Sequence, residues 1–143
     1  MRKNLALDAL GDLLELPILA ILATQYRDGR ILLSPVWHEW QDDGFSVITW
    51  AKDVKSKHLA RDPRATILVA EQTPPFRSVE VKAEALVSSP SDPGSLVRRL
   101  TNRYYGPELG EERAAAFDGV ELELIRLVPG ELRTWDFADE FGS

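Results

Sequence analysis

The sequence has no cysteine, one methionine, two histidines and no long apolar run. Without cysteine there is no disulfide, thiolate nucleophile or cysteine-ligated zinc, and a reducing cytoplasm is the compartment expected. The longest apolar run near the N-terminus, Leu16 to Ala23, falls far short of the roughly 20 residues that a spanning helix needs. Acidic "GDLLEL" precedes it where a secretion signal would carry basic residues, so neither a signal peptide nor a membrane partner is expected. Positive charge is also short. Against 23 Asp and Glu stand 17 Lys and Arg, a formal net charge of -6, which argues against nucleic acid as a partner. Neither G-x-G-x-x-G nor G-x-x-x-x-G-K-[ST] occurs, so a bound phosphate would have to be held by lysines and strand ends. No spacing of acids resembles an EF-hand loop or a metal triad, and no metal is expected.

What is present, over 143 residues, reads as one domain spanning 1–143, long enough to bury its own core. "LALDALGDLLEL", residues 5 to 16, has Leu5, Ala9, Leu13 and Leu16 at helical spacing, so a short amphipathic helix is expected there. Ile18 to Thr24 is a β-rich run leading to Asp28-Gly29, a two-residue hairpin signal, with Ile31 to Trp40 as partner strand and Pro35 as its bulge, bend or edge. "QDDG" turns the chain into a third strand, Phe45 to Ala51. "DVKSKHLARDPR" reads as a helix with Asp53 as N-cap and Asp62-Pro63 as its stop. Ala65 to Glu71 is again β, "TPPF" is a rigid connection, and Val79, Val81, Ala83, Ala85 and Val87 alternate along the clearest strand. A helix before Gly106-Pro107 and two strands, Val120 to Val128 and Glu131 to Phe137, across a "PG" turn complete the order. Six or seven antiparallel strands with two or three inserted helices point to a closed or nearly closed barrel.

One stretch runs against the charge balance. Between Lys52 and Arg64, five basic residues (Lys52, Lys55, Lys57, Arg61, Arg64) face only Asp53 and Asp62. Such charges on a short helix are commonly a solvated face. Lys52 and Lys55, however, fall at a strand exit and a first helical turn, where backbone N–H groups and the helix dipole also favour an anion.

The ordered set "ILAILAT", "DGR", "SPVW", "DDG", the K-x-K-x-x-x-R-D-P-R helix, "PPFR" with "VEVKAEA", and "RLVPGELRTWDF" resembles the pyridoxamine 5'-phosphate oxidase-like family of flavin and deazaflavin oxidoreductases. The resemblance covers nearly the whole chain. It implies a mainly β, six-stranded antiparallel Greek-key split barrel, a homodimer, and FMN or the deazaflavin coenzyme F-420 in a groove at the dimer interface. Carried over by position, it implies that Lys55 contacts the cofactor phosphate, with Lys57 two residues on and Thr49, Trp50 and Lys52 in the connection around it. Ser34, Pro35, Val36 and Trp37 fall on the strand beside the ring. Phe76, Arg77 and Ser78 fall at the start of the strand whose end lines the groove, and Trp135 near the partner's site. Many FMN-binding members have Ser-Arg-Lys where this chain has Asp53-Val54-Lys55, which puts a carboxylate near the phosphate and removes a guanidinium; Ala83 replaces a common glycine. These departures place coenzyme F-420 ahead of FMN, and nothing indicates vitamin B6 oxidation.

The activity so implied is hydride transfer between the bound ring and a small unsaturated organic substrate, with Trp37, Trp50 or Phe76 as an apolar platform and no protein nucleophile. No catalytic residue is assigned. His38 and His58 read as packed or surface side chains, and Trp37 and Trp40 also suit a core or dimer interface. An FMN-dependent enzyme of the same fold and a non-catalytic flavin, deazaflavin or haem carrier are the competing readings; a nucleic-acid-binding barrel is disfavoured by the charge.

Overall fold

The computed structural model describes residues 1–141. In chain order the elements are β1 (Arg2–Lys3), β2 (Ala20–Gln25), β3 (Ile31–Val36), β4 (Glu39–Gln41), β5 (Gly44–Trp50), α1 (Val54–Arg61), β6 (Arg64–Ala70), β7 (Ser78–Ser88), α2 (Pro93–Tyr105), α3 (Pro107–Ala114), β8 (Leu122–Asp136) and α4 (Ala138–Phe141). The strands form one antiparallel sheet in the order β3-β2-β6-β7-β8-β5-β4, with β1 added alongside β8. Six of them have six residues or more; β1 and β4 are short.

The end strands β3 and β4 are consecutive in the chain, separated only by Trp37 and His38. Three Cα steps reach about 10 Å. The sheet must therefore curl until its two edges nearly meet, which makes it a split barrel. Pro35 lies on the edge strand β3, where its missing N–H costs no ladder bond.

Inside, period-two alternation does the sorting. Val79, Val81, Ala83 and Ala85 of β7 point inward with Leu22, Phe45, Val47, Ile67, Val69, Ile125 and Leu127. Each large side chain so buried contributes about 1.5–3 kcal/mol relative to exposure.

Several elements differ from the expectation of the sequence. Residues 5 to 16 form two 3-10 turns, Leu7–Leu10 and Leu13–Glu15, because Gly11 at φ 62° breaks the run; Leu10 and Leu13 still enter the core. The hairpin after β2 closes through Tyr26 N–H to the Arg30 carbonyl (2.9 Å), leaving a three-residue loop with Gly29 at φ 88° instead of a two-residue turn. Asp42 and Asp43, both at positive φ, form the tight turn between β4 and β5. The expected strand 31–40 breaks at Trp37 and His38. Pro129-Gly130 is not a turn. The two expected C-terminal strands are one, β8, because both halves pair with the eleven-residue β7, and the register shift between Val81 and Ala83 absorbs the proline as a bulge. A Cβ on Gly130 would lie 3.1 Å from the Lys82 carbonyl oxygen, tight enough to favour glycine there. Helix α2 starts where expected, with Asp92 accepting from Ser95 N–H (3.1 Å). It stops at Gly106, where Pro107 opens a further helix, α3, that the sequence reading left without an element.

Candidate functional site

The strand-to-helix turn after β5 brings a cluster of groups together. Thr49 is the last inward residue of β5; Lys52 takes φ 66°, and its amide donates to Glu123 Oε1 at 2.9 Å. Asp53 stands at the N-cap position of α1, as expected, yet its carboxylate does not cap the helix. It accepts from Thr49 Oγ1 (3.0 Å) and from the Lys55 ammonium. The Lys55 side chain is only 15 % exposed. That contact with Lys55 is the main cause holding the Asp53 carboxyl below its ordinary range, with burial acting the other way.

Across from this turn lies β3. Ser34, Pro35, Leu32 and Leu33 with Tyr26 form one wall of an open groove of about 340 Å³, and Asp53, Val54 and Lys55 form the other. Ser34, Pro35 and Lys55, which the sequence reading grouped, are thus brought together in one chain. Tyr26 is held edge-on to His58 (4.4 Å, 70°), whose Nδ1 shares a hydrogen bond with Thr24 Oγ1 at 2.9 Å. His58 is buried, and burial followed by the Arg61 charge lowers its pKa.

The other expected residues do not line this groove. Val36 points into the core. Trp37 turns the opposite way and stacks on Tyr104 (5.0 Å, 12°), with Tyr105 edge-on at 5.7 Å and Phe117 tilted at 6.4 Å. Trp50, 61 % exposed, stacks on the same Phe117 at 6.4 Å. Phe117 therefore joins the two tryptophans into one aromatic wall. Phe76, Arg77 and Ser78 do not line the groove of Lys55. The Arg77 guanidinium binds Glu71 (2.8 Å), Asp12 (2.8 Å) and the Leu10 carbonyl (2.7 Å), fastening the N-terminal segment to the barrel. These partners raise its pKa. Trp135 pairs with Lys3 of β1 and Ser78 of β7.

The basic stretch is largely answered from within. Lys55 pairs with Asp53, Arg61 donates to the Gln25 carbonyl, and Arg64 pairs with Asp62 at 2.8 Å, while Lys52 and Lys57 remain exposed. Sequence reasoning missed Asp53 as partner of Lys55, and Tyr26 and Phe117 as walls. Thr49 and Asp53 carried a signal, two small polar groups flanking a strand exit; Phe117 carried none, since it sits in a 3-10 turn, Ala115–Phe117, in a stretch after α3 for which no element was expected.

The sequence matches the pyridoxamine 5'-phosphate oxidase family over residues 6–136. The chain belongs to this family. No curated protein matches it. Among solved structures, a conserved hypothetical protein from Mycobacterium tuberculosis superimposes with a TM-score of 0.76 at 22% identity, covering 94% of this chain and 86% of the other. An F-420 reductase gives 0.68 at 22% identity, over 85% and 93%. A haem storage protein from Vibrio cholerae gives 0.70 at 16% identity, over 95% and 96%. At these identities the likeness concerns the fold. In this chain the groove between β3 and α1 lies beside β3, an edge strand of the curled sheet. Among the described residues no helix is long and apolar enough to cross a membrane, and no group of three or more His, Asp or Glu is placed to hold a metal ion.

Proposed function

We propose that this chain is an oxidoreductase that binds coenzyme F-420 in the groove between β3 and α1 and transfers a hydride between it and a small unsaturated organic substrate. The observation that carries the reading is the juxtaposition of Ser34 and Pro35 on one wall with the largely buried Lys55 on the other. A lysine seated there offers a point charge to a phosphate, and the extended backbone of β3 offers a flat edge to a ring. Thr49 orients Asp53 beneath the same ammonium, and Lys52 and Lys57 stand exposed on either side of it. When bound, the deazaflavin supplies the hydride chemistry. The chain's own residues bind, orient and exclude water. Val36 anchors β3 to the core, Trp37 and Trp50 with Phe117 form the apolar wall for the substrate, and Arg77 holds the β7 start with Phe76 and Ser78 in place.

The groove is completed by a second copy of the chain in this reading. Ile31, Leu33 and Pro35 project from β3 next to Ile21 and Ala23 of β2 and Leu68 of β6, and Leu33 is 64 % and Ile31 52 % exposed. An apolar stripe on the outside of a barrel, at the rim of the groove, suits a homodimer interface. A cytoplasmic location is consistent with it.

A titration of the purified protein with F-420 and with FMN, followed by tryptophan and cofactor fluorescence, tests the reading. Tight F-420 binding supports it, preference for FMN moves the chain to a flavin enzyme of the same fold, and binding of neither overturns it. The likeness in fold to a haem storage protein favours a carrier as the second reading. Single-turnover reoxidation of the reduced cofactor by unsaturated substrates separates carrier from enzyme.

A further inference from the structure

We propose that Asp53 selects the charge state of the phosphate admitted to the groove, favouring a singly charged phosphodiester over a doubly charged phosphomonoester. The inference rests on the cofactor reading above and names the residue that decides between the two cofactor classes. Lys55 is the one ammonium among the groove-lining residues, and it is already shared with the Asp53 carboxylate. Thr49 Oγ1 donates to the same oxygen, Oδ2, and fixes the carboxylate in that orientation. The fixed charge of this wall is close to zero, because the cation and the anion stand side by side. Glu123, held to the Lys52 amide at 2.9 Å, adds a second carboxylate to the turn.

A phosphate oxygen that takes another proton of the Lys55 ammonium would sit about 4.5 Å from Asp53 Oδ2, given donor-acceptor distances near 2.8 Å and tetrahedral donor directions. Lysine attraction and aspartate repulsion both scale with the phosphate's charge. Without Asp53 a second negative charge would deepen binding; with Asp53 about 4.5 Å away, against about 2.8 Å for the ammonium, more than half of that gain is offset. Each extra unit of phosphate charge facing the carboxylate is worth roughly a tenfold loss of affinity at effective dielectric constants between those of water and a protein surface. FMN ends in a phosphomonoester carrying close to two charges at neutral pH. In F-420 the corresponding phosphate is a diester with one. Asp53 therefore disfavours FMN twice as strongly as it disfavours the diester, and the difference is the selectivity.

The test compares dissociation constants of FMN and F-420, by fluorescence at pH 8 and low salt, for the unaltered protein, Asp53→Asn and Asp53→Ser. Asparagine keeps the shape and can accept from Thr49; serine keeps a residue suited to start a helix, so one variant serves if the other fails to fold. Expected is a roughly tenfold fall, in both variants, of the ratio of the FMN to the F-420 dissociation constant, with FMN gaining more. Equal changes for the two cofactors, or no improvement for FMN, overturn the assignment while leaving the cofactor reading intact. Binding of neither cofactor to any of the three proteins overturns the reading and this inference together.

Discussion

The Tyr104 hydroxyl accepts a hydrogen bond from the His38 amide at 3.0 Å and donates one to the Ile18 carbonyl at 2.9 Å, while its ring carries Trp37. One side chain of α2 thus ties together the approach to β2 and the link between β3 and β4. Tyr104→Phe keeps the ring and removes both bonds, leaving partly buried backbone groups unpaired. Urea unfolding should show a loss of about 1–3 kcal/mol, with the tryptophan environment near native.

Acid should destabilise the fold through His38. This side chain is fully buried; burial, then the Arg103 charge, push its pKa down from 6.5 to about 4. Between those values the unfolded chain holds the proton and the folded chain does not. Stability is therefore complete above about pH 6.5 and declines toward pH 4, by about 3 kcal/mol in all. His58, also lowered, acts in the same direction. Unfolding midpoints at pH 7 and pH 4.5 should differ less in His38→Leu than in the unaltered protein.

The Arg77 clamp should matter for stability. Glu71, its main partner, is 5 % exposed at the side chain, so Arg77→Ala leaves a buried carboxylate without its cation. The expected cost is about 3 kcal/mol. Amide exchange should accelerate in residues 7–15, whose Leu10 carbonyl and Asp12 lose their donor.

Lys55→Ala should weaken cofactor binding at least tenfold while shifting unfolding by under about 1 kcal/mol, because the Asp53 carboxylate left behind is 35 % exposed and can be solvated. Lys57→Ala, altering an exposed residue of α1, should weaken it less. The reverse order would move the phosphate anchor one helical step along.

Leu33→Lys should turn the proposed homodimer into a monomer, read by light scattering or sedimentation, because it places a charge at the centre of the apolar stripe on β3. A monomer in the unaltered protein removes the second copy from the groove.

Much of this fold was legible because its signals are local. Alternation marks β7, Asp92-Pro93 and Gly106 mark α2, and Asp42-Asp43 and Gly29 mark turns. What could not be read depends on partners distant in sequence. Pro129-Gly130 looks like a turn until β7 is seen to be long enough to pair with both flanks. Leucines at helical spacing on both sides of Gly11 settle into two tight turns, and Leu10 and Leu13 enter the barrel core. In the site, Lys55 was legible as a cation at a strand exit; the carboxylate that claims it was read as a helix cap and as a negative charge near the phosphate, but not as the partner of Lys55 itself.

The link of two residues between β3 and β4 gives the barrel a mechanical property. The edges are stitched by the chain itself, with no ladder between them among the described residues, and Tyr104 is the clasp over the stitch. Parting the seam breaks no strand pairing, but it must pull on α2 through that clasp. Any breathing of the wall that carries Ser34 is thereby geared to α2, the helix that carries the stacking partner of Trp37.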